Sequence, residues 1–169
     1  MLKQILRYGI ISGAILALYV AITFSIMDCS ENMEGSQIFG FTMMILAVAP
    51  TMVLAVKAYK REMPAGLGKS ILLCIGVGFL ASVLYVIGWA FTHHFIVPEF
   101  MDQFMALYQK KYQAGKMSKE DFEMAQWMAD HYHNPFWFFI FTMVEIFPLT
   151  IALAILIPVI LKYIPQKKS

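Results

Sequence analysis

Four long apolar runs divide the chain: about Tyr8–Met27, Ile38–Val56, Ser70–Thr92 and Phe136–Leu161. A helix needs roughly 20 apolar residues to cross the hydrocarbon core of a bilayer, so each run predicts one membrane span. Within them, small residues recur every fourth position. Gly9, Gly13, Ala17, Ala21 and Ser25 make one stripe in span one, and Ser70, Cys74, Gly78 and Ser82 make another in span three. Stripes of this kind let helices approach closely in lipid, so the two faces are expected to pair. Pro50 falls near the middle of span two, where it is expected to kink the helix or open a carbonyl to a neighbour.

The polar stretches differ in kind. The first loop, Asp28–Gln37, carries Asp28, Glu31 and Glu34 and no basic residue. The second, Lys57–Lys69, is a turn built on Pro64, Gly66 and Gly68, with Lys57, Lys60, Arg61 and Lys69. The third, His93–Asn134, is the long one, and it has a helical pattern of its own. Pro98 suits a first helical turn, and Phe100, Phe104, Tyr108 and Tyr112 follow at four-residue spacing. Gly115 breaks that pattern. Ser118-Lys119-Glu120-Asp121 then reads as a helix cap opening a second helix, whose apolar face is Phe122, Ala125, Met128 or Ala129, and Tyr132. Asn134-Pro135 is expected to end it. The prediction is a helical hairpin over about 98–133, apolar inside, at the membrane surface.

Composition agrees with lipid as the solvent. Of the 169 residues 60% are hydrophobic and 14% charged, against about 25% charged in a soluble domain. The first run is longer than a signal-peptide core and lacks a small-x-small cleavage site, so it reads as an uncleaved span. The net charge of +2 does not suggest a nucleic-acid partner. Its distribution matters more. Lys3, Arg7, the second-loop cations, Lys162, Lys167 and Lys168 all fall on one side of a four-span chain, which places both termini in the cytoplasm and the hairpin outside. The two cysteines, Cys29 and Cys74, belong to opposite ends of their spans and are not expected to pair.

Three sets of residues carry candidate chemistry. Glu145 is the only acidic or basic residue within the four runs, with Pro148 three residues on. It lies about nine residues into span four, roughly 13–14 Å along the helix. An unpaired carboxylate at that depth costs at least about 2.5 kcal/mol, so a protonated acid hydrogen-bonded to a neighbouring helix is expected. Tyr85, Ser82, Thr51, Tyr19 and Thr23 are the candidate partners. Such a group is either a polar staple between helices or a proton or cation site, and the staple is the commoner case. The four histidines, His93, His94, His131 and His133, flank the hairpin at one surface and form a candidate zinc or copper site. Neighbouring pairs at i,i+1 and i,i+2 do not share a helical face, which argues against it. The 13 methionines read as flexible apolar filler.

Several runs together resemble a known family. They are Gln37-x-x-Gly40-Phe41, Lys57-Ala58-Tyr59-Lys60-Arg61, Gly68-Lys69-Ser70, Gly76-x-Gly78 through Ser82-Val83-Leu84-Tyr85-Val86-x-Gly88-Trp89, Pro98-Glu99-Phe100-Met101, Asn134-Pro135 and Glu145-Ile146-Phe147-Pro148. In order and spacing they resemble the bacterial family catalogued as domain of unknown function 4199. The resemblance implies a small four-span membrane protein without an assigned activity, and offers no catalytic residues to transfer. Gln37 stands where the family commonly has an acid, and the turn Pro64–Gly68 is shorter than usual.

The expectation is therefore an all-α integral membrane protein, one membrane domain over residues 1–169, with four transmembrane helices and an extracytoplasmic hairpin between the third and fourth. It is expected in the bacterial inner membrane, surrounded by lipid, without a cofactor, and with a membrane-protein partner or a second copy of itself. The first functional reading is non-enzymatic, structural or accessory. A proton- or cation-coupled transporter using Glu145 is the second, and a metal-dependent membrane enzyme the third.

Overall fold

The computed structural model describes residues 1–26 and 33–163, with side chains described from residue 38 onward in the second helix. The expectations for Asp28, Cys29, Glu31, Glu34, Gln37, Lys167 and Lys168 lie outside the described residues. Six helices follow one another: α1 (Leu2–Ile26), α2 (Met33–Glu62), α3 (Leu67–Phe95), α4 (Phe100–Gln113), α5 (Lys119–His131) and α6 (Pro135–Tyr163). No strand occurs among the described residues. Helices α1, α2, α3 and α6 are each long and apolar enough to cross a membrane, and α4 and α5 form the hairpin between α3 and α6. The protein is thus an all-helical, multi-pass membrane protein.

The long helices overrun the apolar runs at their ends. The first includes Lys3 and Arg7, the second runs past Lys57 to Glu62, and the third includes His93 and His94. Long basic side chains at helix ends reach back to the headgroups, so helical structure continues beyond the strictly apolar stretch. The Gln4 side chain donates to Glu62 at 2.7 Å, which fastens the start of α1 to the end of α2.

Helix α3 is the centre of the bundle. Its most apolar window is 44% buried, against 28% for α1 and α6 and 33% for α2. Leu6, Ile10, Leu18 and Ile22 of α1 remain exposed, as side chains facing lipid do. The glycine stripe of α1 packs on α3, but on a different face from the one expected. A Cβ at Gly9 would lie 2.8 Å from Leu80, and one at Gly13 would lie 2.5 Å from Leu84. In return, a Cβ at Gly76 would meet Ile5 at 2.6 Å and one at Gly88 would meet Ala17 at 2.5 Å. The α3 face towards α1 is therefore Gly76, Leu80, Leu84 and Gly88, with leucines seated over the glycines of α1. The small stripe of α3 turns instead to α2 and α6, where a Cβ at Gly78 would lie 2.9 Å from Thr150 and 3.0 Å from Met52. A smooth face meeting a smooth face leaves voids, whereas knobs over holes fill them.

Helix α2 runs unbroken through Pro50, and α6 through Pro148 and Pro158. Ser12 of α1 donates to the Ala47 carbonyl of α2 at 3.2 Å, whereas the carbonyl that Pro50 leaves without its helical N–H is that of Leu46, four residues before it.

The hairpin follows its caps. Ser118 accepts from the Asp121 N–H at 3.1 Å, and Gly115 takes the left-handed conformation with φ 69° that closes α4. Tyr112 and Phe122 stack across the hairpin with centroids 4.7 Å apart. Two ends differ from expectation. Pro98 lies before α4 rather than in its first turn, because α3 continues to Phe95. Asn134 does not end α5, which stops at His131. It starts α6, accepting from the Phe136 N–H at 2.9 Å with Pro135 at the first helical position.

Candidate functional site

Beneath the hairpin the adjoining halves of the four long helices surround a cavity of about 640 Å³. Every element borders it: Tyr19, Val20, Thr23 and Phe24 from α1, Gly40, Phe41 and Met44 from α2, Tyr85 and Trp89 from α3, and Thr142 and Glu145 from α6. Helices α4 and α5 roof it with Phe104, Tyr108, Met124 and Met128. The walls are mainly aromatic and methionine side chains, because the apolar faces that drive hairpin formation turn inwards over this space. Two of its lining residues, Phe41 of α2 and Met124 of α5, are 43% and 65% exposed.

Glu145 stands at the deep end, roughly 15 Å along α6 from Pro135. Its side chain is exposed, and the cavity is what it lines. The Tyr85 hydroxyl from α3 lies beside it, while the Tyr85 side chain itself is only 5% exposed. Of the four residues grouped on sequence as one polar site, the structure brings these two together. Ser82 and Thr51 do not join them. Ser82 gives its hydroxyl to the Gly78 carbonyl at 2.8 Å, and Thr51 gives its own to Val48 at 2.7 Å. Hydroxyls in apolar helices commonly bond back to their own preceding turn, which removes them as partners. Tyr19 and Thr23, also considered on sequence, are hydrogen-bonded to each other and line the cavity.

Two further polar groups were not singled out from the sequence. Tyr132, just after α5, accepts from the Trp89 indole N–H at 2.6 Å, and Thr142 gives its hydroxyl to the Phe138 carbonyl at 2.9 Å. Burial pushes the Tyr132 phenol up to about 12, with the Trp89 hydrogen bond opposing the effect. Thr142 sits three residues before Glu145, on the same face of α6, and that spacing was the available signal. Tyr132 gave no such signal, since its position depends on how the hairpin folds back.

The histidines do not gather. His93 is half-buried within a ring of Trp89, Phe100, Tyr132 and Phe138, and its Nε2 atom has no partner. His94 packs edge-on to Phe95. His131 places Nδ1 2.8 Å from the Trp127 carbonyl, and His133 is exposed. No group of three or more His, Cys, Asp or Glu residues that could hold a metal ion occurs among the described residues. The physical reason is the helix geometry. His93 and His94 project in different directions from α3, and the aromatic packing that anchors the hairpin takes up the space between the pairs.

The arrangement is a cavity with apolar walls, one carboxyl at depth and phenol and threonine hydroxyls around it. It can bind a molecule with a large apolar part and a polar or charged end, and it can exchange a proton at Glu145. Comparison with known proteins assigns no chemistry. The family model described as "Protein of unknown function (DUF4199)" matches residues 7–163. No curated protein and no solved structure matches the chain.

Proposed function

Because the chain belongs to the DUF4199 family, whose description carries no activity, we propose a function from the site: a small, non-enzymatic carrier of the bacterial inner membrane that binds an amphipathic molecule beneath the hairpin and couples it to the proton of Glu145. The observation that carries this reading is the cavity itself. A polar staple needs Glu145 closed between helices, whereas here Glu145 lines a space of about 640 Å³, within the range of small-molecule sites. An ionisable group at membrane depth that meets a cavity marks a ligand or proton path more readily than a structural bond.

Orientation follows from charge. The basic residues of α1, of the turn after α2 and of the end of α6 lie on the side away from the hairpin, which puts both termini in the cytoplasm and the cavity mouth on the outer face. The lipid bilayer surrounds the exposed leucines and isoleucines of α1. A structural or accessory role in contact with another membrane protein or a second copy is the second reading. It is favoured by the nearness of the Tyr85 hydroxyl of α3 to Glu145 of α6.

The test is chemical access to Glu145. Dicyclohexylcarbodiimide, an apolar reagent that couples to protonated carboxyls, is applied to the purified protein and the adduct is located by mass spectrometry. Modification at Glu145, lost in Glu145→Gln, supports the carrier. Glu145 left unmodified while exposed carboxyls of α5 react would overturn it and leave the staple.

A further inference from the structure

The charge of the cavity is lopsided along its depth. At the hairpin turn, Lys116 and Asp121 both border it, both are exposed, and they carry opposite charges. Towards the deep end no basic side chain lines it. Among the described residues, the titratable groups beside Glu145 there are the phenols of Tyr85 from α3, Tyr19 from α1 and Tyr132 after α5, and α2 adds Gly40, Phe41 and Met44. Three ligand classes can be weighed against this set. An anion brought to the deep end meets a carboxyl and no fixed positive charge. A neutral molecule gains apolar contact but leaves the carboxyl with Tyr85 alone. A cation finds its counter-charge at Glu145 and the ring faces of Tyr85, Trp89 and Phe141, which attract positive charge through their quadrupoles. The methionines of the roof adapt to varied apolar shapes.

Taking the cavity as a ligand site, as proposed above, we infer that its ligand is a lipophilic organic cation that replaces the proton of Glu145. The balance is simple. The empty site holds a carboxylic acid beside Tyr85. When the cation enters, the acid gives its proton to water, and the carboxylate pairs with the ligand, so the site is neutral in both states. That neutrality is what hydrocarbon surroundings demand, since an isolated charge at this depth is costly. Entry of a proton from the outside then expels the cation, which makes the site an exchanger of one for the other.

Tetraphenylphosphonium and tetraphenylborate test this, because they share a shape and differ in charge. Each is titrated calorimetrically into the full-length protein in a neutral detergent, in two buffers of different ionisation heat. Tetraphenylphosphonium is expected to bind with release of a proton, and tetraphenylborate at least tenfold more weakly. Glu145→Gln is expected to weaken phosphonium binding at least tenfold and to abolish proton release, while Glu145→Asp keeps both. A measurement on the unaltered chain stands beside the variants: phosphonium should slow carbodiimide coupling at Glu145. Equal binding of the two ions, or phosphonium binding that Glu145→Gln leaves unchanged, would overturn the cation. Coupling at Glu145 that neither ion slows would also overturn it while leaving the ligand cavity standing. Failure of coupling without any ligand would overturn the cavity reading itself.

Discussion

The Trp89 indole N–H meets the Tyr132 hydroxyl at 2.6 Å, joining the outer end of α3 to the exit of the hairpin. Both side chains are buried, and the Phe24, Phe100 and Phe138 rings close around them. Tyr132→Phe leaves that N–H without an acceptor in a buried place, at a cost of about 1–3 kcal/mol. A lower melting temperature in detergent and faster proteolysis within 98–133 are expected. Tyr112→Phe, whose ring stacks but whose side chain is 36% exposed, should change neither. The link also has a pH limit. The Tyr132 phenol is raised from 10 to about 12 in the folded chain, so its contribution is complete below pH 10 and is lost as pH rises from 10 to about 12.

Close approach of α1 and α3 rests on glycines whose replacement meets solid neighbours. A Cβ at Gly88 would lie 2.5 Å from the Ala17 Cβ and 2.8 Å from its Cα. Backbone cannot step aside as a flexible side chain can. Gly88→Ala is therefore expected to force the helices apart and cost about 1–3 kcal/mol, read as a fall in melting temperature. Gly66→Ala, with nothing within 4 Å of the added methyl group, is the control and should stay within about 0.5 kcal/mol.

Ser82 and Tyr85 sit three residues apart on α3 and should respond differently. The Ser82 hydroxyl is bonded within its own helix, so Ser82→Ala should change stability by no more than about 0.5 kcal/mol. Tyr85→Phe removes the hydroxyl that lies beside Glu145 of α6, and a polar contact between membrane helices contributes about 0.6–1.7 kcal/mol. Thermal unfolding of the two variants side by side separates them. An equal loss in both would mean that the serine also reaches across the bundle.

That contrast shows what the residue pattern could and could not disclose. Spans were legible because hydrocarbon thickness fixes their length, and the hairpin because Ser118, Gly115 and the four-residue aromatic spacing are local signals. Glu145 stood out because charge is rare in lipid. Its partners depended on helix rotation, which repeating small residues leave open. Gly76 and Gly88 share a face with Leu80 and Leu84, while Ser70, Cys74, Gly78 and Ser82 form an unbroken small stripe, and it is the fit of the two leucines over Gly9 and Gly13 that turns the first face towards α1. The cavity was hidden for a related reason: empty space has no residue to announce it. Its roof comes from faces that, on sequence, read as the hairpin's own interior.

Metal should have little hold on this fold. His93 is enclosed by rings, and the Nδ1 atom of His131 is occupied by the Trp127 carbonyl. Equimolar zinc or copper should leave the melting temperature unchanged, whereas a site with an apparent dissociation constant 100-fold below the metal concentration would add about 2.7 kcal/mol. A rise of several degrees that disappears in His94→Ala and His131→Ala would restore the histidine site.

The orientation can be read from two positions that the structure leaves open. Ala114 closes α4 at the hairpin turn and is exposed, and Gly66 lies in the turn before α3 with free space around it. Cys74 is buried, and Cys29→Ser removes the other thiol of the sequence. In that background Ala114→Cys should react with a membrane-impermeant maleimide on intact cells, because the hairpin has no flanking cluster of basic residues at its span ends to hold it inside. Gly66→Cys, next to Lys57, Lys60, Arg61 and Lys69, should react only after the membrane is opened. The pattern matters for the carrier, since the cavity opens beside the hairpin and its proton must come from the compartment that the hairpin faces. Reversed labelling would turn the mouth to the cytoplasm, and the proton that displaces the ligand would then have to arrive from inside.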